Sequence, residues 1–511
     1  MINQKKAKLL SIIIIGVLAY MFMPELVRAK GITKIYVVFT SSGLQGEART
    51  YQIYHPDAKI MSNEEILGAL KERCQGVEFI VADTRDQRKV IEKIKEEKES
   101  LDGVLFFGRP PYELASIGLP IVAVHPLWGQ WQHPFFYYIK GKKLLASVLP
   151  VIPDVDETIY ASRLEDIAGK IKLIQGISKM KGLRVLVVTD NPVLGDYEPS
   201  YLQTGPTKED RKEYEKVYLN NLEEIFGTEL VTIPQKELFG RINKVDQKEA
   251  EKIAKKWINE AEGIKGTNKE QIVRSAKLYL SMKELMAKYN TQAITTEGYC
   301  HFQPRGEGCG NLEGYPDGIP SQGLPSAQFF SDGIVATSET LIDALIIQQL
   351  VLYTTGKAGF CGDFMIDPPT ETVTIGHCEF SLKLNPYSDE GKLPYIIRNL
   401  PLVEENKGGA CVQVNLPIGK KVTVAIINMH QKKIHVFTGK TVNGENYFKH
   451  WVDVICRSKL IIKTNAKAIA ENDDSETFGN HRVAFYGDLR QMFKDLGTLI
   501  GFEVVEVDIS D

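Results

Sequence analysis

The chain has 511 residues, of which 43% are hydrophobic and 25% charged, with a formal net charge of −3. That length allows about three domains, and the composition is that of an ordinary globular protein. The near-neutral balance argues against nucleic acid as a partner, which calls for a basic face; the lysine-rich run 88–98 is matched by glutamates and reads as a solvated helix face.

The N-terminus comes first. Lys5, Lys6 and Lys8 precede an apolar run from Leu9 to Met23, followed by Pro24 and Val27-Arg28-Ala29. A basic segment, an apolar run and a small residue at a cleavage point make a signal-peptide pattern. The run is shorter than the ~20 residues that span a bilayer comfortably. Residues 1–29 are therefore expected to be a signal peptide or an N-terminal membrane anchor, with the chain exported or anchored. A cytoplasmic protein starting at Met21 or Met23 is the alternative.

From Lys34 onward strands and helices alternate. Strands are expected at 34–40, 77–83, 103–108 and 119–126. Helices are expected at 63–74, with Asn63 as N-cap, and at 84–101. Short apolar runs between helical segments indicate βαβ units on a parallel sheet. The aromatic and polar stretch 125–143 suits either a core or a surface that meets a sugar or another subunit. A second α/β unit opens at Gly182, with strands at 183–190, 228–234 and 291–298, a helix over 220–227 and strong helical character over 246–289. No Gly-rich phosphate-binding fingerprint follows any strand, so nucleotide binding lacks support. Residues 299–328 form a long Gly- and Pro-rich stretch carrying His301, Gln303, Arg305 and Glu307, a polar set suited to hydroxyl-rich ligands or to a solvated connector. Beyond about residue 365 short strands separated by turns predict a β-rich domain, sandwich or barrel.

The seven cysteines, Cys74, Cys300, Cys309, Cys361, Cys378, Cys411 and Cys456, include no C-x-x-C pair. A structural zinc knuckle is not expected, and scattered thiols suit a reducing compartment. In an exported chain Cys300 and Cys309 are close enough to close a loop.

The chemistry concentrates in 329–378. A helical pattern runs from Thr340 to Tyr353, with Glu339 just before it. Asp363 follows in a short strand, and His377 ends the next. His481 lies in GNHRV near the far end of the chain. Two carboxylates with one or two imidazoles, and no thiolate, suit a divalent ion such as Mn²⁺, and a carboxylate beside such an ion can move protons. Singly, each residue has a structural alternative. Glu339 can serve a helix dipole, Asp363 can close a turn, His377 can sit satisfied in a core, and His481 can lie on the surface.

The layout resembles the L-fucose isomerase and L-arabinose isomerase superfamily. Glu339 and Asp363 are 24 positions apart, with an intervening Gly-containing turn. His377 in GHC, His481 in GNHRVAFYGDLRQMF and the hairpin-like KVTVAIINMHQKKIHVFTGK complete the likeness, which covers nearly all of the chain past the leader. The Asp at the second position is similar to the fucose isomerase branch. The resemblance implies two Rossmann-like α/β domains, at 30–175 and 176–355, followed by a β-rich C-terminal domain at 356–511. It implies an aldose–ketose isomerase acting through a cis-enediol on a monosaccharide. Glu339 and Asp363 would share the roles of metal ligand and acid/base. His481 would be a ligand, and His377 a second histidine ligand or a substrate contact. Glu297, at the end of a predicted strand, would line the same cleft, with Gln303 and Arg305 as further substrate contacts. A homo-oligomer is implied, with a neighbour's first domain completing the site. The chain departs from the family in Ser338-Glu339-Thr340, where a second acidic residue or a cysteine often stands, and in its leader. A non-catalytic sugar-binding protein that keeps the fold is the alternative.

Overall fold

The computed structural model describes residues 31–510, apart from 41–50, 58–59, 85, 126–141, 150–156, 191–207, 298–319, 389–390, 402–404, 406–407 and 455. Gln303, Arg305, the Cys300 and Cys309 pair, and all of 125–143 except its ends lie outside the described residues. So does the apolar leader. The expectation of a membrane anchor is corrected on what is described: no helix there is long and apolar enough to cross a membrane.

The protein is mixed α/β, with parallel sheets and a β-rich region. The first sheet contains β1 (Thr33–Phe39), β2 (Val77–Val81), β3 (Gly103–Phe107), β4 (Ile121–His125) and β5 (Leu144–Val148), all parallel, in the order β2-β1-β3-β4-β5. This is a doubly wound order, which reverses direction beside β1. Its central strands read as continuous apolar runs because helices cover both faces; β3 is buried at every residue. Helix α1 (Asn63–Arg73) follows β1, but its cap is Ser62, one residue before the expected Asn63. Ser62 and Glu65 form a reciprocal capping box. Helix α2 (Gln87–Glu97) starts under an Asp86 cap and buries Val90, Ile91 and Ile94 on one face.

A long helix, α3 (Glu157–Met180), leads into the second sheet. That sheet holds β6 (Arg184–Val188) and β7 (Glu229–Ile233). After the short β8 (Gly263–Lys265), which belongs elsewhere, it adds β9 (Ala293–Thr296) and β10 (Ala336–Thr337). Its order is β10-β9-β6-β7, again all parallel. The helical stretch at 246–289 is two helices, Gln247–Glu260 and α4 (Lys269–Tyr289), separated by β8. Asn290 ends α4 in the left-handed conformation, a role Asn tolerates.

The last region is built on antiparallel pairing. β11 (Phe360–Asp367), β12 (Thr372–His377), β15 (Lys421–Asn428), β16 (Lys433–Val442), β17 (Ser458–Lys463) and β18 (His481–Tyr486) follow one another in the order β15-β18-β11-β12-β17-β16. β16 then pairs back to β15. Six strands thus close into a barrel, which removes free edges. β19 (Glu503–Glu506) joins β16 in parallel. A separate three-stranded sheet pairs β13 (Tyr395–Arg398) with β14 (Cys411–Val414) and with the distant β8.

Helix α5 (Ile342–Thr355) joins the second sheet to the barrel. Nearly all of its residues are buried. Its apolar character all round has a simple cause: it packs against α3 on one side and against barrel strands on another. It ends at Gly356 in the left-handed conformation. Immediately beyond, β11 and β12 approach so closely that a Cβ on Gly362 would lie 2.6 Å from the Gly376 carbonyl oxygen. Backbone cannot yield there as a side chain can. Gly362→Ala is expected to cost about 1–3 kcal/mol of stability, as overpacking does, measured as a lowered urea midpoint with an unchanged slope.

Candidate metal centre

Glu339 lies in the connection from β10 to α5. It is not a helix cap: α5 begins at Ile342, and the cap position, Leu341, makes no side-chain cap hydrogen bond. Glu339 and Thr340 both have left-handed backbone, with φ of 65° and 51°. Two successive non-glycine residues in that region carry strain that the surroundings must hold in place. The Thr340 amide donates to the Thr296 carbonyl at the end of β9, at 2.9 Å. On the other side, Asp343 in the first turn of α5 accepts from the Tyr218 hydroxyl at 2.8 Å and from the Met429 amide at 3.4 Å. Ser338 is held through its amide and its hydroxyl, both 3.1 Å from Glu379.

The barrel presents the other residues. Asp363 pairs with Gly376 on β12 and with His481 on β18, and His377 ends β12. The structure brings Glu339, His377 and His481 together. Glu339 Oε1 is 3.7 Å from His377 Nε2, and Glu339 Oε2 is 3.3 Å from His481 Nε2. The two imidazole rings lie edge to face with centroids 5.6 Å apart. All three side chains are at most 3% exposed. Asp363 Oδ1 is 3.6 Å from His481 Nε2, but its side chain is 44% exposed. Asp363 therefore stands at the open rim of the cluster.

These separations are longer than hydrogen bonds to a charged group, at ~2.7–2.9 Å. They are close to the spacing of neighbouring ligands of one cation: donors about 2.1 Å from an ion lie roughly 3 Å apart at right angles and about 3.4 Å apart in a tetrahedral array. Among the described residues, Glu339, His377 and His481 are the group whose donor atoms converge closely enough to hold a metal. One carboxylate and two imidazoles suit a divalent ion of intermediate hardness, so the donor chemistry fits.

Behind these ligands sits Glu379, which sequence reasoning missed. It is buried, and its Oε1 is 3.5 Å from His377 Nδ1 while it also binds Ser338. A carboxylate behind a ligating imidazole fixes the ring and raises its basicity. The only sequence signal was a glutamate two residues past His377, on the same side of an extended chain. Burial works to lower the His377 imidazole, but Glu379 first, then Glu339 and Asp363, outweigh it and push it up to about 10. Burial holds the Glu379 carboxyl above its usual range.

His481 is fixed by its neighbour Arg482. That buried guanidinium donates to the Gly479 and His481 carbonyls at 2.9 and 2.8 Å and to Asp473 at 2.6 Å. It also lies 5.1 Å from the Phe364 ring centroid. Asp473 in turn meets His435 Nδ1 at 3.1 Å. Glu297 takes a different place. It is buried at the end of β9, accepts from the Thr189 hydroxyl and from the Asp190 amide, the latter at 3.2 Å, and ties β9 to β6. It is not a member of the Glu339 cluster.

No family model matches the chain, and no curated protein matches it. Among solved structures, one match is a carbohydrate transporter from Acidothermus cellulolyticus 11B in complex with myo-inositol. The two share 12% identity, covering 64% of this chain and 89% of that one, at a TM-score of 0.15. A likeness at that TM-score carries no argument about this chain.

Two outcomes are expected. Without a cation, His377 holds a proton up to about pH 10, and a cation at Nε2 must displace it. Divalent-ion affinity should therefore rise with pH, by up to about tenfold per unit below that value. Calorimetric titrations in buffers of different ionisation enthalpy would measure the proton released. Glu379→Gln should weaken the same affinity by about 10–100-fold; unchanged affinity would show that Glu379 does not support the ligand.

Proposed function

We propose that this protein is a metal-dependent aldose–ketose isomerase of the L-fucose and L-arabinose isomerase type. The observation that carries the reading is the buried Glu339, facing one imidazole with each oxygen, beside a half-exposed Asp363. In this reading Glu339, His377 and His481 hold Mn²⁺ or another divalent ion. The ion, when bound, polarises the sugar oxygens and holds them in one geometry. Asp363, open to solvent, meets the substrate and moves a proton between C2 and C1 by way of a cis-enediol. Glu339 is the ligand that keeps the two imidazoles apart. The buried walls around the cluster exclude water and strengthen each charge interaction there.

The same reading supplies the finer architecture: two α/β domains at 30–175 and 176–355, and a β-rich domain from 356. The doubly wound first sheet, the second parallel sheet and the closed barrel support that layout. It also supplies a homo-oligomer in which a neighbour completes the site.

Purified protein should carry a near-stoichiometric divalent ion by elemental analysis, and Glu339→Gln should lose most of it. A panel of aldoses should yield ketoses, with solvent deuterium entering the product in deuterated water. Asp363→Asn should lower kcat by roughly 10²–10⁴-fold while keeping the metal. Bound metal with no conversion of any sugar would leave a binding protein, and no metal would sink the whole reading.

A further inference from the structure

Three thiols lie directly beneath the metal ligands. Cys378, Cys411 and Cys456 pack with Leu400 in one buried cluster, each at most 3% exposed. Each comes from a different part of the chain: Cys378 follows His377 at the end of β12, Cys411 opens β14, and Cys456 precedes β17. The β12–β17 ladder sets their closeness. His377 pairs with Ser458, so the next residue on one strand and the approach to the other converge. A Cβ on Gly376 would lie 3.7 Å from Cys456 Cβ.

The three differ in their further partners. Cys411 Sγ is 3.3 Å from the Asn399 carbonyl, which anchors it away from the ligands. Cys456 Sγ instead donates to Asp363 Oδ2, at 3.6 Å. A thiol thus supports the rim carboxylate, and that thiol's neighbour is covalently next to His377. Inert thiols behaving as small apolar groups would need no contact with a carboxylate.

We propose that Cys378 and Cys456 form a redox-modifiable pair that a peroxide converts to a disulfide, weakening the metal centre. The oxidant class follows from burial, since only a molecule near the size of water reaches these sulfurs through a local opening. Asp453 and Val454, three and two residues before Cys456, are exposed and mark the nearest solvent along the chain. The chemistry balances. One of the two sulfurs, as its thiolate, attacks one peroxide oxygen, the O–O bond breaks, and a sulfenic acid and one water result. The other sulfur then attacks the sulfenic sulfur, the S–O bond breaks, and a second water leaves. Two thiols and one peroxide become one disulfide and two waters. Asp363 loses its thiol donor, and the end of β12 that carries His377 is drawn toward Cys456.

The effect on metal binding rests on the metal-centre reading; the pairing of the thiols does not. The test uses the full chain, reduced and loaded with Mn²⁺, then exposed to hydrogen peroxide. Peptide mapping without reduction is expected to find Cys378 linked to Cys456. Free Mn²⁺, read by electron paramagnetic resonance, is expected to show affinity weakened about tenfold, in line with losing a hydrogen bond to a charged group, and restored by dithiothreitol. Cys411→Ser should keep both responses. Cys456→Ser should lose both, and Cys378→Ser supplies the same test should Cys456→Ser fail to fold. The proposal is overturned if both thiols survive peroxide, if Cys378 links to Cys411 instead, or if the link forms without a change in affinity. Failure of the reduced protein to bind Mn²⁺ defeats the metal reading and the switch with it, while the peptide map still reports separately whether the thiols pair.

Discussion

The structure turns on a two-residue backbone strain. Glu339 and Thr340 both occupy left-handed space, where side chains of their kind rarely go. An ordinary entry into α5 would point the Glu339 carboxylate toward the helix start and its dipole. The strained turn carries it into the barrel wall instead, between two imidazoles. Three independent attachments hold the turn: Thr296 from the second sheet, Tyr218 and Met429 through Asp343, and Glu379 through Ser338. Each comes from a different part of the chain. Of order 1–3 kcal/mol per strained residue is offset by contacts that exist only when the parallel sheets and the barrel are assembled.

The barrel supplies the opposing half. Closure fixes the register of β11 against both β12 and β18, so Asp363 and His481 stand opposite each other while His377 sits at the end of the next strand. A slip of one residue would turn each of these side chains to the other face. The close approach at Gly362 and Gly376 resists that slip, as does the buried Arg482 beneath Phe364. Rigid strands therefore hold three of the four candidate groups, and the strained turn delivers the fourth. This division suits a site in which donor spacing must be kept to a fraction of an ångström.

The buried carboxylate behind His377 and the thiols behind Asp363 extend the centre inward. Glu379 serves two partners at once, an imidazole and a turn. Its desolvation is offset at Oε1, which accepts from the Ser338 amide and hydroxyl and faces His377 Nδ1. Cys456 reaches the rim carboxylate from below. The candidate ligands thus sit on a second layer of polar groups, Glu379 from beside His377 and Cys456 from a segment distant from Asp363.

Period and punctuation in the chain were enough to read the strands near 34–40, 77–83, 103–108, 119–126, 183–190, 228–234 and 291–298 and the change to short strands after 365, but not β5 or the long α3. Apolar runs and their breaks are local properties, set by which faces must leave water. The same reasoning placed Asp363 and His377 on strands. Local pattern could not show that Glu339 escapes the cap role, since neither a turn's handedness nor its tethers are written in adjacent residues. It could not separate Asp363, half exposed at the rim, from the three buried groups. Glu297, expected at the cleft as a residue at a strand end, accepts from Thr189 and Asp190 and stands outside the Glu339 cluster. Closure of the barrel was equally hidden, because pairing of β15 with both β16 and β18 is a long-range fact. The sequence by itself determined which residues could bind a cation and which segments become strands. Only the tertiary structure decided which of them meet, because convergence depends on register and closure between segments more than a hundred residues apart.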